Sequence, residues 1–406
     1  MDFLINTPLY ALFARYSNYL IPYISSVPVR LLLYFLLILV LSIFQRVLSR
    51  VNRARKSNPL IDQANEQSNT NATQLKKGKH RTYLLTSIVL LLIVALISTT
   101  RITKLGGLFF QDPSTQVIAE GNFNWIELDA KNKLLYAVGH GTDQVLAYHT
   151  DRLSDPPSMS EPLYERSQSI ALNSASNEIY YPTSEEIIVL GVPDLKIKER
   201  IKIPELSPGD VWIVWDEQND QIVLSSEADE NVGHPFLVVD RKTGKVVSDE
   251  PLNAWNIYLH PSKSILYLGP RNQETKYCLY DTEQNQVVSS FESGELGDRM
   301  ILDENRDELL IAAPSRSRIS RYDPMTFTYL GSIKANWGVR SLAIDRERDL
   351  LFAGSLVDNM LIIIDLNTGK TIRTCWVGPW IRSIALDTEN RLAYVSTKYE
   401  LVSIRY

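Results

Sequence analysis

Residues 113–406 predict an all-β fold, a seven-bladed β-propeller, and residues 1–104 predict a two-helix transmembrane anchor ahead of it. Three observations point there. One polar residue closes a short apolar run seven times, at Asp129, Asn173, Asp216, His260, Asp303, Asp345 and Asp387, at intervals of 44, 43, 44, 43, 42 and 42 residues. Each interval holds several short β-type runs and lacks the 3.6-residue apolar spacing of a helical repeat, so each unit is expected to be a four-stranded blade. Two uncharged apolar stretches precede the first unit, Leu31 to Phe44 and Tyr83 to Thr100.

From the amino terminus, residues 1–28 place Tyr10, Tyr16, Tyr19 and Tyr23 among apolar side chains, the pattern of an interfacial helix with its rings at headgroup level. The first span is expected at about 29–48. Its uncharged core is shorter than the roughly 20 residues that cross a bilayer, and it is lengthened by Val27 to Val29, Val47 and Leu48, with Arg30 and Arg46 reaching the interface. The second span, 83–100, is bounded by Arg81 and Arg101. A cleaved secretory signal does not fit, because the apolar region starts late and no small-residue cleavage site follows it. Residues 49–82 form a loop whose Arg and Lys residues far outnumber its two acids, Asp62 and Glu66. The positive-inside bias puts that loop in the cytoplasm and both termini outside. The same charge pattern explains the loop as a topology determinant in contact with anionic lipid, so membrane lipid is an expected partner and nucleic acid is not. Residues 1–104 carry 13 of the 42 basic residues and 3 of the 47 acidic ones, which leaves the remainder strongly acidic.

Within each unit the positions one and three before the anchor are apolar, as at Leu128 and Ile126 or Ile344 and Leu342. That period of two marks a strand. A polar turn and a second run follow, for example LLYAVG from Leu134 and LFAGS from Leu351, rich in the β-branched, aromatic and small residues of a strand packed on both faces. A third run ends at a turn former such as Asp240, Asp281, Asp323 or Asp365. Lys242-Thr243-Gly244-Lys245 and Asn367-Thr368-Gly369-Lys370 then turn the chain into a fourth run. The seventh unit stops after its third strand, Leu401 to Arg405. Thr115 to Ala119 is expected to complete that blade and close the ring, because closure removes an exposed sheet edge.

The anchor turn and second strand, followed by an Ile- or Val-Asp-x-x-Thr-Gly-Lys turn, resemble the YVTN or NHL-like propeller repeats of bacterial surface and periplasmic proteins. The matches are clearest at Asp345 to Lys370 and Asp387 to Ser396; the second unit departs from the pattern with Val192-Pro193 at its outer turn. The resemblance implies a seven-bladed propeller of a bacterial surface or periplasmic protein; taken with the two apolar stretches and the basic loop, the expected place is the bacterial cytoplasmic (inner) membrane, multi-pass, with the propeller on the extracytoplasmic side. It implies fold far more than function.

Catalytic and metal-binding patterns are not found: the five histidines include no close pair, and there is no HExxH, CxxC, phosphate-cradling Gly-rich loop or G-x-S-x-G. No cofactor or metal is expected, and no catalytic residue is assigned. Cys278 and Cys375 fall in units four and six, too far apart in the ring for a disulfide, and read as small hydrophobes. The rim ahead of each first strand stands out. Five of the seven Trp residues fall there, whereas Trp215 and Trp376 are expected in the core. Trp255, Asp298, Arg299, Trp337, Arg340, Trp380 and Arg382 are the candidate ligand-binding residues on this face. Two accounts compete. Trp can cap the space between blades while Arg and Asp satisfy one another; alternatively, aromatic platforms and Arg donors form a concave site for a protein, glycan or small ligand.

The expected function is a membrane-anchored binding, scaffold or sensor module. The alternatives are a channel-centred hydrolase or lactonase and an outer cap subunit of a larger membrane complex. For the topology, a reporter active only in the cytoplasm should be silent when fused after Lys104; activity there would place the propeller inside the cell.

Overall fold

The computed structural model describes residues 112–165, 167–203, 211–226, 235–250, 252, 254–270, 276–293 and 297–406. The expected spans at 29–48 and 83–100, the basic loop and residues 1–28 lie outside the described residues. Among the described residues no helix is long and apolar enough to cross a membrane.

The strands form seven four-stranded antiparallel sheets, six of them meanders of consecutive strands and the seventh completed by the first strand of the propeller, and so a seven-bladed propeller. The inner strands are Trp125–Asp129, Ala171–Asn173, Val211–Asp216, Ala254–Leu259, Met300–Asp303, Val339–Asp345 and Ser383–Asp387, in blades 1 to 7. Seven apolar clusters lie between blades, one at each blade–blade contact. Tyr180 and Val189 of blade 2 pack with Ile213 and Leu224 of blade 3, for instance, and Leu310 and Ile319 of blade 5 with Leu351 and Ile362 of blade 6. Both faces of every blade are buried against a neighbour, which is why the second strands, such as Leu134–Gly139 and Glu308–Ala313, are buried along their whole length.

Each anchor is a buried turn cap. The side chain of Asp129 accepts from the Asn132 N–H at 3.1 Å, Asn173 from Ser176 at 3.0 Å, Asp216 from Gln218 at 3.0 Å and Asp303 from Asn305 at 3.1 Å. Asp345 accepts from Glu347 at 3.1 Å and Arg348 at 3.2 Å, and Asp387 from Asn390 at 3.0 Å. His260 does the same through Nδ1, from Ser262 at 3.1 Å. The residue four after the anchor is left-handed in six of the seven turns, at Lys133, Asn177, Asp220, Asp307, Asp349 and Arg391. The outer turns repeat the device. Asp240, Asp281, Asp323 and Asp365 accept backbone N–H groups two or three residues on, and Gly244, Asn285, Phe327 and Gly369 take the left-handed position.

Ring closure occurs as the sequence predicts. Thr115–Glu120 pairs antiparallel with Glu400–Arg405, Thr115 opposite Ile404 and Glu120 opposite Glu400, with an irregularity between Val117 and Ala119. Arg373 of blade 6 holds the start of this strand, donating to Asp112 Oδ1 at 2.8 Å and to the Ser114 hydroxyl at 2.5 Å. Deleting Thr115 to Ala119 should expose the edge of Glu400–Arg405 and lower the melting temperature by several degrees or more, since about 1 kcal/mol moves a domain of this size by roughly 2 to 4 °C. Unchanged melting would show that closure adds nothing to stability.

Candidate functional site

Because every inner strand ends at a capped turn, counting back from the anchors gives layers of equivalent positions down the channel. Four residues before the anchors stand Trp125, Ser169, Trp212, Asn256, Arg299, Ser341 and Ser383. Three are serines, and the large side chains of blades 1, 3 and 5 use the space these leave. Trp125 and Trp212 meet edge to face with ring centroids 5.6 Å apart, past Ser169 of the blade between them. The Arg299 guanidinium reaches both, 4.1 Å from the Trp212 ring and 4.8 Å from Trp125, and its Nη1 donates to Asn256 Oδ1 at 3.4 Å. One cation on two indole faces thus links blades 1, 3, 4 and 5 across the channel mouth.

The next layer out is polar. Arg382 donates to Asn124 Oδ1 at 3.1 Å. Asn124 Nδ2 donates to the Gln168 carbonyl at 2.6 Å and also to Gln168 Oε1, and Gln168 Nε2 to His140 Nε2 at 3.4 Å. Arg340 Nε lies 3.1 Å from Asp298 Oδ2, both side chains about one fifth exposed.

A cavity of about 500 Å³ occupies the channel, lined by Trp125, Asn256, Arg299, Ser341, Arg382 and Ser383 of these layers and by side chains of the inner strands such as Leu128, Ile257 and Leu342. Two residues before the anchors the positions are Glu127, Ala171, Val214, Tyr258, Ile301, Ala343 and Ala385, so Glu127 is the one charge in an otherwise uncharged layer. Its Oε1 accepts from Trp125 Nε1 at 2.7 Å. Burial pushes its carboxyl up to about 7, against the opposing pull of that hydrogen bond. Burial, together with nearby Arg340, pushes the Arg299 guanidinium down to about 9, with Asp298 acting the other way. Arg299 therefore stays charged at neutral pH, while Glu127 is poised between forms.

Of the candidates read from the sequence, Arg299 and Arg382 line the cavity, and Asp298 pairs with Arg340 beside Arg299. Trp337 and Trp380 lie on loops before their inner strands and do not line it. The Trp337 carbonyl accepts from the Ser355 hydroxyl at 2.7 Å. Trp380 donates its N–H to Asn359 Oδ1 at 3.1 Å, and Lys398 Nζ sits 4.3 Å from its ring. Trp255 contributes backbone to the blade 4 inner strand, and its side chain is outside the described residues. Trp376 is buried as expected. Trp215 packs on Tyr180 at 5.2 Å but also lines the cavity, so it is not purely a core residue. Glu127 escaped sequence reasoning because a lone acid in an alternating strand looks solvent-facing; comparison with its six uncharged equivalents is the signal that finds it.

Among the described residues no group of three or more His, Cys, Asp or Glu comes together to hold a metal. Both cysteines are free, and burial raises both thiols, that of Cys375 to about 12. Compared with protein-family models and with curated proteins, the sequence matches none.

Glu127 yields a prediction of definite sign. Its folded pKa lies above its unfolded value, so the folded state binds the extra proton, and stability falls as pH rises from about 4.5 to about 7 and is level above. Glu127→Gln removes this penalty. The variant should gain on the native chain across that window, by up to about 3 kcal/mol at 1.36 kcal/mol per unit. A melting difference that does not change with pH would refute the assignment.

Proposed function

We propose that the chain is a membrane-anchored, extracytoplasmic binding, scaffold or sensor module that takes a protein, glycan or small ligand at the mouth of its propeller channel. The anchor is argued from the two apolar stretches and the basic loop between them. The observation that carries the binding role is the Arg299–Trp125–Trp212 cluster, flanked by Arg382 and the Arg340–Asp298 pair on one rim. Aromatic and Arg side chains that are partly desolvated in a concavity are the groups that dominate recognition. A channel-centred hydrolase or lactonase is the second reading, and it is favoured by Glu127, whose carboxyl titrates near neutrality inside a cavity.

Arg340→Ala combined with Arg382→Ala should weaken recovery of partners cross-linked to the full-length chain by about thirtyfold, the equivalent of about 2 kcal/mol for truncated anchors. Melting should change little, since partly exposed charges contribute little to stability. If the double variant unfolds, or if recovery per folded molecule is unchanged, the rim residues are structural.

A further inference from the structure

We infer that the channel cavity is built for a small amphipathic carboxylate, a monoanion with an apolar body; this rests on the channel mouth being the binding site. Four buried polar groups line that cavity without a hydrogen-bond partner: the donors Asn256 Nδ2, Arg299 Nε and Trp215 Nε1, and the Ser341 hydroxyl, which can donate or accept. Asn256 is 2% exposed. Its orientation follows from charge, because Oδ1 faces the Arg299 guanidinium and Nδ2 must then point away. Buried donors without acceptors are costly, and three lining one cavity mark a place for an acceptor.

The charge balance has the same sign. Among the described residues of the lining, Arg299 and Arg382 are the cations and Glu127 the one carboxylate, with one oxygen already taken by the Trp125 indole. The unmet donors, one of them on the Arg299 guanidinium, therefore favour a negative group over a neutral one. Most of the rest of the wall is apolar, with Leu128, Leu172, Ile257, Ile301, Leu342 and Ile384, and the Tyr258, Ser341 and Ser383 hydroxyls add polar groups to it. An apolar body buries that surface, whereas inorganic phosphate leaves it wet and brings a second charge towards Glu127. A sugar's hydroxyls can accept from these donors, but each brings an O–H of its own that the aliphatic wall leaves unmet. A polypeptide threaded through the channel collides with the Trp125–Trp212–Arg299 layer, which crosses the mouth. The volume, about 500 Å³, lies in the range typical of small-molecule sites.

The probe is 3-phenylpropanoate, titrated calorimetrically into the full-length chain in lipid nanodiscs, with empty discs as the blank. Its neutral isostere, 3-phenylpropanamide, and inorganic phosphate are the comparisons. The acid should bind at least tenfold tighter than the amide, and phosphate should not displace it. Asn256→Asp, which replaces a donor with a negative charge, should lower the affinity for the acid tenfold or more. Trp215→Phe keeps an aromatic ring but removes the indole N–H with the five-membered ring that carries it, so it keeps the test open if Asn256→Asp fails to fold; it should lower affinity for the acid about threefold or more, and for the amide less. Equal binding of acid and amide overturns the anionic class, and displacement by phosphate at equal affinity overturns the apolar body. No binding of the acid also overturns the proposal. The mouth reading survives that result if Arg340→Ala with Arg382→Ala still loses partner recovery, and falls with it if recovery is unaffected.

Discussion

The structure depends on one interaction repeated around the ring: a buried polar side chain that ends each inner strand and accepts the backbone N–H groups of the turn after it. An inner strand has a neighbour on one side only, its other edge facing the channel, so it gains less from the ladder than a central strand. The cap supplies what the ladder lacks. Burial makes it obligatory, since Asp216 and Asp345 are fully shielded and an unmet carboxylate there would be far costlier than a lost surface contact. Asp345 has further partners, Arg348 Nη1 at 3.0 Å and the Tyr406 hydroxyl at 2.9 Å, which tie the sixth inner turn to the end of the chain.

Locking the turn also locks the register. A one-residue slip would turn every side chain of the inner strand to the opposite neighbour and leave the cap without its N–H groups. Equivalent positions in the seven blades therefore stand at the same depth, and the channel becomes a stack of layers. In the layer four residues before the anchors, small Ser169, Ser341 and Ser383 leave room, and Trp125, Trp212 and Arg299 extend into it. Two residues nearer the anchors, an uncharged layer raises the proton affinity of its single acid, Glu127. The site is thus a consequence of the same constraint that builds the blades.

That history explains what was legible in the sequence. Blade number, strand positions, turn chemistry and the closing strand all depend on residues near one another in the chain or on a pattern that repeats, and each can be read from Asp, Gly and alternating apolar positions. The rim could be located for the same reason, since Arg299 and Arg382 sit at fixed distances from their anchors. The partners across the channel could not. Trp125 meets Trp212 because Ser169 is small, and Arg299 reaches both from blade 5, contacts between residues up to 174 positions apart that no periodicity encodes. Trp337 and Trp380 stand eight and seven residues before their anchors, against four for Arg299, and their loops hold them off the cavity wall.

The composition of the mouth argues against a purely structural plug. Seven interblade cores already provide the apolar burial that holds the ring. A plug needing only to fill space would be served as well or better by hydrophobic side chains, because replacing buried charge with well-packed apolar groups is often neutral or stabilising. Here the layer instead holds a guanidinium whose proton affinity burial has lowered, one of whose N–H groups lacks an acceptor, beside an Asn amide in the same state. Arg299 recovers part of that cost on the faces of Trp125 and Trp212, which leave its plane oriented and its unused donors directed elsewhere. Groups held in place at a cost to stability, with donors still unmet, are the feature on which the proposed binding role rests.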